Sequence, residues 1–508
     1  MPMPRRSLRA RSVAFAALLS TSCTTLAPSQ VSVAPETDTT CAPSQALTGA
    51  SERVRGLVAQ MTLDEKLGQL NQAAGGRSKA LNSKLTPQEL DRVRRGEVGS
   101  YLHVAGAEEL GALQKVAVEE SRLGIPLLFA MDVVHGYRTI FPVPIAMAST
   151  WDPADWQSAA NIAADESSAA GLHWTFAPMI DIARDPRWGR IVEGAGSDPY
   201  LGARMAEAQV HGYQGDSLSD PHTILATAKH FGVYGAPTGG RDYGSADVSE
   251  QSLMETYMPP FYAAAKAGSG SMMTAFNDIG GVPTTANEEL VDGLLRAQWG
   301  FDGMIVSDWN AVAELMNHGV AANRTEAGVL ALQAGVDMDM TSGVMPTDLK
   351  PAVDTDACLM HDLDGAVARI LTTKERLGLF DAPLAYHDPA RDRAAILTPE
   401  SRAEARRIAA RSMVLLKNDH AALPLSATPQ TIAVIGALAD ELVALRRDLH
   451  AHPEPSWEEH RTTRVLRERL AAAGIDSEVA PSGTGVVATI GVGGPVVALR
   501  GDIDALRM

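Results

Sequence analysis

Six apolar segments between residues 127 and 340 each run into a polar or charged residue, and stretches with helical spacing separate them. Leu127 to Ala130 leads to Asp132, Trp174 to Ile180 to Asp181, and Ile224 to Ala228 to Lys229 and His230. Ser271 to Phe276 leads to Asn277, Met304 to Val306 to Asp308, and Val336 to Met340 is the last and weakest member. Short apolar strands alternating with helices predict a parallel sheet with right-handed crossovers. So many units in one stretch favour a closed (β/α)8 barrel of TIM type over an open sheet, within an α/β fold. Residues 51–380 exceed the roughly 250 residues typical of such a barrel, so insertions are expected in its loops.

The same repetition points to function. Polar groups recurring at the carboxyl ends of barrel strands stand at the mouth where catalytic groups are usually carried. Asp132, Lys229, His230 and Asp308 fall on that rim. Each has a plainer reading. Asp308 serves equally as the N-cap of a following helix. Lys229 and His230 fit a solvated turn, and Asp132 with His135 fits a loop hydrogen bond. Their recurrence argues against coincidence.

A chain of 508 residues with 44 Lys+Arg against 61 Asp+Glu carries a formal charge of −17, which disfavours a nucleic-acid partner and an anionic membrane surface. Residues 1–23 predict an export signal: Arg5, Arg6, Arg9 and Arg11 precede a short apolar run from Val13 to Leu19, then small residues up to Cys23. Cys23 resembles a lipoprotein acceptor and offers a membrane tether; simple cleavage and a periplasmic or secreted product is the alternative. Residues 24–50 lack hydrophobic periodicity and predict a flexible tether, with order beginning near Ser51. The T-x-x-E of Thr62 to Glu65 predicts a capped helix that buries Leu63, Leu67 and Leu70. Cys41 and Cys358, far apart in sequence, predict neither a disulfide framework nor a zinc site.

Four ordered motifs carry a resemblance: MDVVHGYRTIFP (Met131 to Pro142), FAPMIDIARDPRWGR (Phe176 to Arg190), AKHF (Ala228 to Phe231) and GMIVSDW (Gly303 to Trp309). From about Ser51 to Asp440 the chain resembles glycoside hydrolase family 3, its periplasmic β-glucosidase branch in particular. The resemblance implies Asp308 as nucleophile, and Asp132, Arg138, Arg190, Lys229 and His230 as residues that bind a small-molecule or oligosaccharide substrate. It implies no metal and no organic cofactor. Trp309 presents a flat face on which a pyranose stacks, or else packs in the core. The family's hexosaminidase branch carries a His-Asp dyad on a barrel loop. The corresponding loop here, Gly232 to Ser249, contains Asp242 and Asp247 but no His.

Residues 381–440 resemble a connector and the start of that family's second domain, an α/β sandwich whose downstream loop supplies the general acid/base Glu. From about residue 441 to 508 the sequence instead resembles the opening of zinc-dependent amidohydrolases of the hippurate hydrolase kind. His450 and His452 fit a structural role in that resemblance rather than a zinc site, and Asp502 and Asp504 fall on the strand approaching the metals. The resulting expectation is an exo-acting retaining β-glucosidase, impaired because its acid/base domain is cut short. A metal-dependent amidohydrolase and a non-catalytic sugar-binding barrel are the alternatives.

Overall fold

The computed structural model describes residues 41, 44–74, 86–419 and 423–424, together with discontinuous stretches between 445 and 488. Eight short parallel strands organise it: β1 (Asn71–Ala74), β2 (Ser100–Leu102), β3 (Leu128–Met131), β4 (Trp174–Thr175), β5 (Thr227–Phe231), β6 (Ser271–Thr274), β7 (Met304–Val306) and β8 (Asp339–Met340). They pair in two sheets, one ordered β8-β1-β2-β3-β4 and the other β5-β6-β7. Isolated parallel bridges join them at both seams: Trp174 to Leu225 and Met179 to Lys229 on one side, Val306 to Met338 on the other. Met304, Ile305 and Val306 are fully buried, as parallel strands covered on both faces require.

The sequence pattern locates β3, β6 and β7 closely; β5 lies three residues beyond the expected Ile224 to Ala228, so Lys229 and His230 fall within it, and Trp174 to Ile180 and Val336 to Met340 contract to two-residue strands at their termini. β1 and β2 escape it altogether. β1 begins on polar Asn71 and Gln72, which are buried because Asn71 Nδ2 donates to Glu97 O at 2.8 Å and Gln72 Nε2 to Ser100 Oγ at 3.0 Å. Side-chain hydrogen bonding across neighbouring strands replaces the apolar signal.

The Thr62 capping box forms as expected, with helix Leu63–Gln69 behind it; Leu67 and Leu70 are buried and Leu63 is half-buried. Helices Pro153–Ala169 and Pro199–Gln214 pack closely because small residues face each other: a Cβ on Gly212 would lie 2.5 Å from the Ala160 Cβ. Helix Pro399–Arg411 docks on the same layer through Arg407 and Arg411, each 2.7 Å from the buried Asp155 carboxylate.

Two expectations need correction. The tether predicted over 24–50 contains a helix at Gln45–Gly49, and Ala50 is buried, because Leu47 and Ala50 join the apolar core. Cys41 and Cys358 are both disulfide-bonded, which their spacing along the chain does not foretell. In the tail, helix His460–Ala472 precedes an antiparallel pair, Ser477–Val479 with Val486–Ala488. The Cys23 acceptor, residues 425–440 of the expected sandwich start, His450, Asp502 and Asp504 lie outside the described residues. His452 is described; it is exposed and bonded through Nδ1 to Asp448 O at 2.9 Å.

Candidate active site

The carboxyl ends of β3, β5 and β7 converge. Asp132 follows β3 directly. On β5 the pairing with β6 shifts between Ala228 and Phe231. Such a bulge re-aims side chains, and here neighbouring Lys229 and His230 both reach the site. Lys229 Nζ donates to Asp132 Oδ1 at 2.6 Å, and His103 Nε2 lies 3.3 Å from Asp132 Oδ2. Asp308, two residues past β7, is 7 % exposed. Its Oδ1 accepts from Trp309 N at 2.6 Å. Its Oδ2 lies 3.3 Å from His230 Nε2 yet has no hydrogen-bond partner. Asp308 is no helix cap, since Asn310 takes the N-cap position of helix Ala311–Glu314.

Arg190 completes the group from a short 3-10 turn, Gly189–Glu193. Its Nε and an Nη bind the Glu193 carboxylate at 2.7 and 3.0 Å, the same Nη lies 3.1 Å from His230 Nε2, and the guanidinium sits 5.3 Å from the Tyr234 ring centre. His230 Nδ1 and backbone N both meet Asp181 Oδ2, at 2.8 and 3.0 Å.

Burial and charge compete here. Burial pushes the Asp308 carboxyl up to about 7, while Arg190, Lys229 and the Trp309 N–H restrain the rise. Burial pushes Asp181 up to about 8, against the His230 N–H and the charges of Arg190 and Lys229. For Asp132 burial acts in the same direction, but Lys229 and His103 outweigh it and hold the carboxyl well below its ordinary range. Burial, then the charges of Arg190 and Lys229, hold His230 well below its ordinary range, so the imidazole is neutral. Burial disfavours charge on Arg190, but Glu193 more than compensates.

The fold therefore gathers Asp132, Arg190, Lys229, His230 and Asp308. The plainer readings do not hold: Lys229 and His230 are buried rather than in a solvated turn, and His135 Nδ1 binds Phe141 O, not Asp132. Trp309 is half-buried and lies face to face with His103, ring centres 6.2 Å apart, so it borders the mouth and packs on its wall at once. Arg138 stands apart from the cluster in its recorded contacts: it is exposed, with its guanidinium 5.1 Å from the Tyr137 ring centre. Asp242 accepts from Trp188 Nε1 at 2.8 Å and so braces its loop, while Asp247 is exposed.

Sequence reasoning passed over His103, Asp181 and Glu193 as site residues. Asp181 carried the available signal, a polar residue ending an apolar run. Glu193, three residues after Arg190 on the same turn, was a second. His103 follows β2, a strand too short to be noticed.

The loop bearing Arg138 is clamped by one buried carboxylate. Glu166 Oε2 accepts from Arg138 N at 2.9 Å and Thr139 N at 2.7 Å; Oε1 accepts from Thr139 Oγ1 at 2.6 Å and Leu397 N at 2.9 Å. Glu166→Ala strands these donors in the interior, so a loss of about 3 kcal/mol is expected in urea unfolding. A loss under about 1 kcal/mol would show that the loop holds itself.

Comparison with known proteins follows the same residues. The family model for the glycosyl hydrolase family 3 N terminal domain matches residues 62–373. The periplasmic beta-glucosidase of Salmonella typhimurium is 40% identical over 390 residues, spanning 76% of this chain and 50% of that protein. A beta-xylosidase of Formosa agariphila is 39% identical over 356 residues, 66% of this chain and 49% of its own. Among solved structures, the beta-glucosidase from Listeria innocua in complex with glucose superposes with a TM-score of 0.69 at 40% identity, covering 74% of this chain and 53% of that one. The chain thus spans about half the length of the curated relatives it matches.

Proposed function

Because the chain belongs to glycoside hydrolase family 3, we propose that it acts as a retaining exo-β-glycosidase that releases terminal β-D-glucosyl residues. One observation carries the reading: Asp308 Oδ2 is buried, free of any hydrogen-bond donor, and flanked by cations whose hydrogen bonds suit sugar hydroxyls. The Asp308 carboxylate attacks the anomeric carbon as the glycosidic bond breaks, and an acid protonates the departing oxygen. Water then cleaves the glycosyl ester, returning the sugar with retained configuration. Arg190, Lys229 and Asp132 hold the glycone in register. Arg138 belongs to the same subsite on the strength of the motif resemblance, and Trp309 on the flat face it offers a pyranose. The two sheets and their bridging pairs support an eight-stranded barrel as the scaffold.

Named relatives include both glucosidases and xylosidases, so specificity is tested by comparing nitrophenyl β-glucoside with β-xyloside. A 2-deoxy-2-fluoro glucosyl inactivator is expected to label the peptide from Gly303 to Trp309 on Asp308. Labelling elsewhere, or none with turnover intact, would overturn the reading.

Export fits the signal-like leader, the periplasmic name of a relative and two disulfide-bonded cysteines, which suit an oxidising compartment. The amidohydrolase reading of residues 441–508, and the sandwich start over 381–440, rest on sequence resemblance alone. Among the described residues no His, Cys, Asp or Glu cluster suited to a metal occurs. A sugar-binding barrel without turnover is separated from an enzyme by the same labelling.

A further inference from the structure

Asp181 is buried behind His230, which separates it from the proposed nucleophile, and has no part in the chemistry described above. A neutral imidazole has one N–H and one lone pair, and its neighbours select which nitrogen carries which. His230 Nε2 faces an Arg190 Nη at 3.1 Å. A guanidinium only donates, so this contact favours a lone pair on Nε2 and the proton on Nδ1, provided the Nδ1 proton has an acceptor. Asp181 Oδ2, 2.8 Å from Nδ1, is the acceptor that makes this tautomer stable.

We propose that Asp181 is a positioning residue that acts through His230: by accepting the Nδ1 proton it keeps a hydrogen-bond donor away from Asp308 Oδ2. The opposite tautomer would aim Nε2–H at Oδ2, 3.3 Å away. A donor there satisfies the carboxylate in its resting state and blunts it as a nucleophile. The inference rests on the glycosidase reading for its kinetic consequence, though not for its geometry. The charged and titratable groups facing Asp181 are Arg190, Glu193, Lys229 and His230. Those facing Asp308 are Arg190, Lys229, Asp132 and His230, with Tyr234 and Tyr243 beyond. None of them is an alternative acceptor for the Nδ1 proton in the recorded contacts.

Two substitutions separate positioning from bulk. Asp181→Leu keeps the volume and removes the acceptor. His230 then turns its proton to Nε2 and donates to Asp308. The kcat on nitrophenyl glucoside falls about ten- to hundredfold, the worth of one hydrogen bond to a charged group. The acid limb of kcat/KM moves down by about one pH unit, because the donor stabilises the carboxylate. Asp181→Asn keeps an oxygen that accepts both His230 N–H groups, so it restores the limb and most of kcat. A loss in Asp181→Leu with the limb unmoved, or Asn as impaired as Leu, would overturn the proposal. Where Asp181→Leu fails to fold, 15N-histidine spectra of the wild-type protein decide: His230 is expected protonated at Nδ1 and bare at Nε2, and the reverse would refute it. Absence of any turnover by the wild type would count against the glycosidase reading and leave the tautomer test standing.

Discussion

Asp308→Asn is expected to lower kcat on nitrophenyl β-glucoside by on the order of ten-thousandfold, the scale set by removing a nucleophile from an otherwise intact site. The substitution is nearly isosteric. Its amide oxygen still accepts from Trp309 N, and the amide nitrogen takes the place of Oδ2 beside His230. Glucose affinity, measured by calorimetry, should therefore be largely retained, because Lys229 keeps its bond to Asp132 and Arg190 its contact with His230. Chemistry offers a second readout. In Asp308→Gly, azide enters the space vacated by the carboxylate and attacks the anomeric carbon from the same face, so the expected product is the α-glucosyl azide. Turnover within tenfold of the parent, or a β-configured azide, would remove Asp308 from the nucleophile's role.

Much of this site could be read from residue order because parallel strands display their chemistry at their carboxyl ends. Met304 to Val306 followed by Asp308 is an apolar run broken by a carboxylate, and the fold places that carboxylate at the converging ends of β3, β5 and β7. Where side chains satisfy one another across strands, the signal is lost. Gln72 and Ser100 hydrogen-bond to each other inside the sheet, so β1 looks polar, while β2 spans only Ser100–Leu102 and His103 at its end went unseen with it. Burial of Asp181 behind His230 was equally hidden. Its position at a strand end was visible, but the bulge in β5 that turns both Lys229 and His230 to the site is a matter of register with β6. Arg138 shows the converse. Its motif is strong, yet the structure leaves its guanidinium on Tyr137 and fixes only its backbone, through Glu166.

The pH dependence of this protein should carry two signatures of one buried carboxyl. With Asp308 pushed up to about 7, the proposed nucleophile loses its charge as the solution is acidified through neutrality. The acid limb of kcat/KM, which reports the free enzyme, is then expected near pH 7 and to fall about tenfold per pH unit below it. A profile flat down to pH 5 would mean that the cations win over burial. Stability runs the other way. The folded carboxyl binds its proton more tightly than the unfolded one, so Asp308 favours the folded state at low pH and that contribution is lost as pH rises through 7. Asp181, up to about 8, acts in the same sense. The neutral buried histidines oppose it below the ordinary histidine range: the unfolded chain takes up protons that His173 and His230, held well below that range, do not. A comparison of Asp308→Asn with wild type cancels those groups. The variant should be the more stable of the two at pH 8, by up to about 4 kcal/mol, with the advantage shrinking steadily toward pH 5. Equal melting temperatures across that range would show that ionised Asp308 costs the fold nothing. The site would then owe its reactivity to positioning rather than to a carboxylate held in strained surroundings.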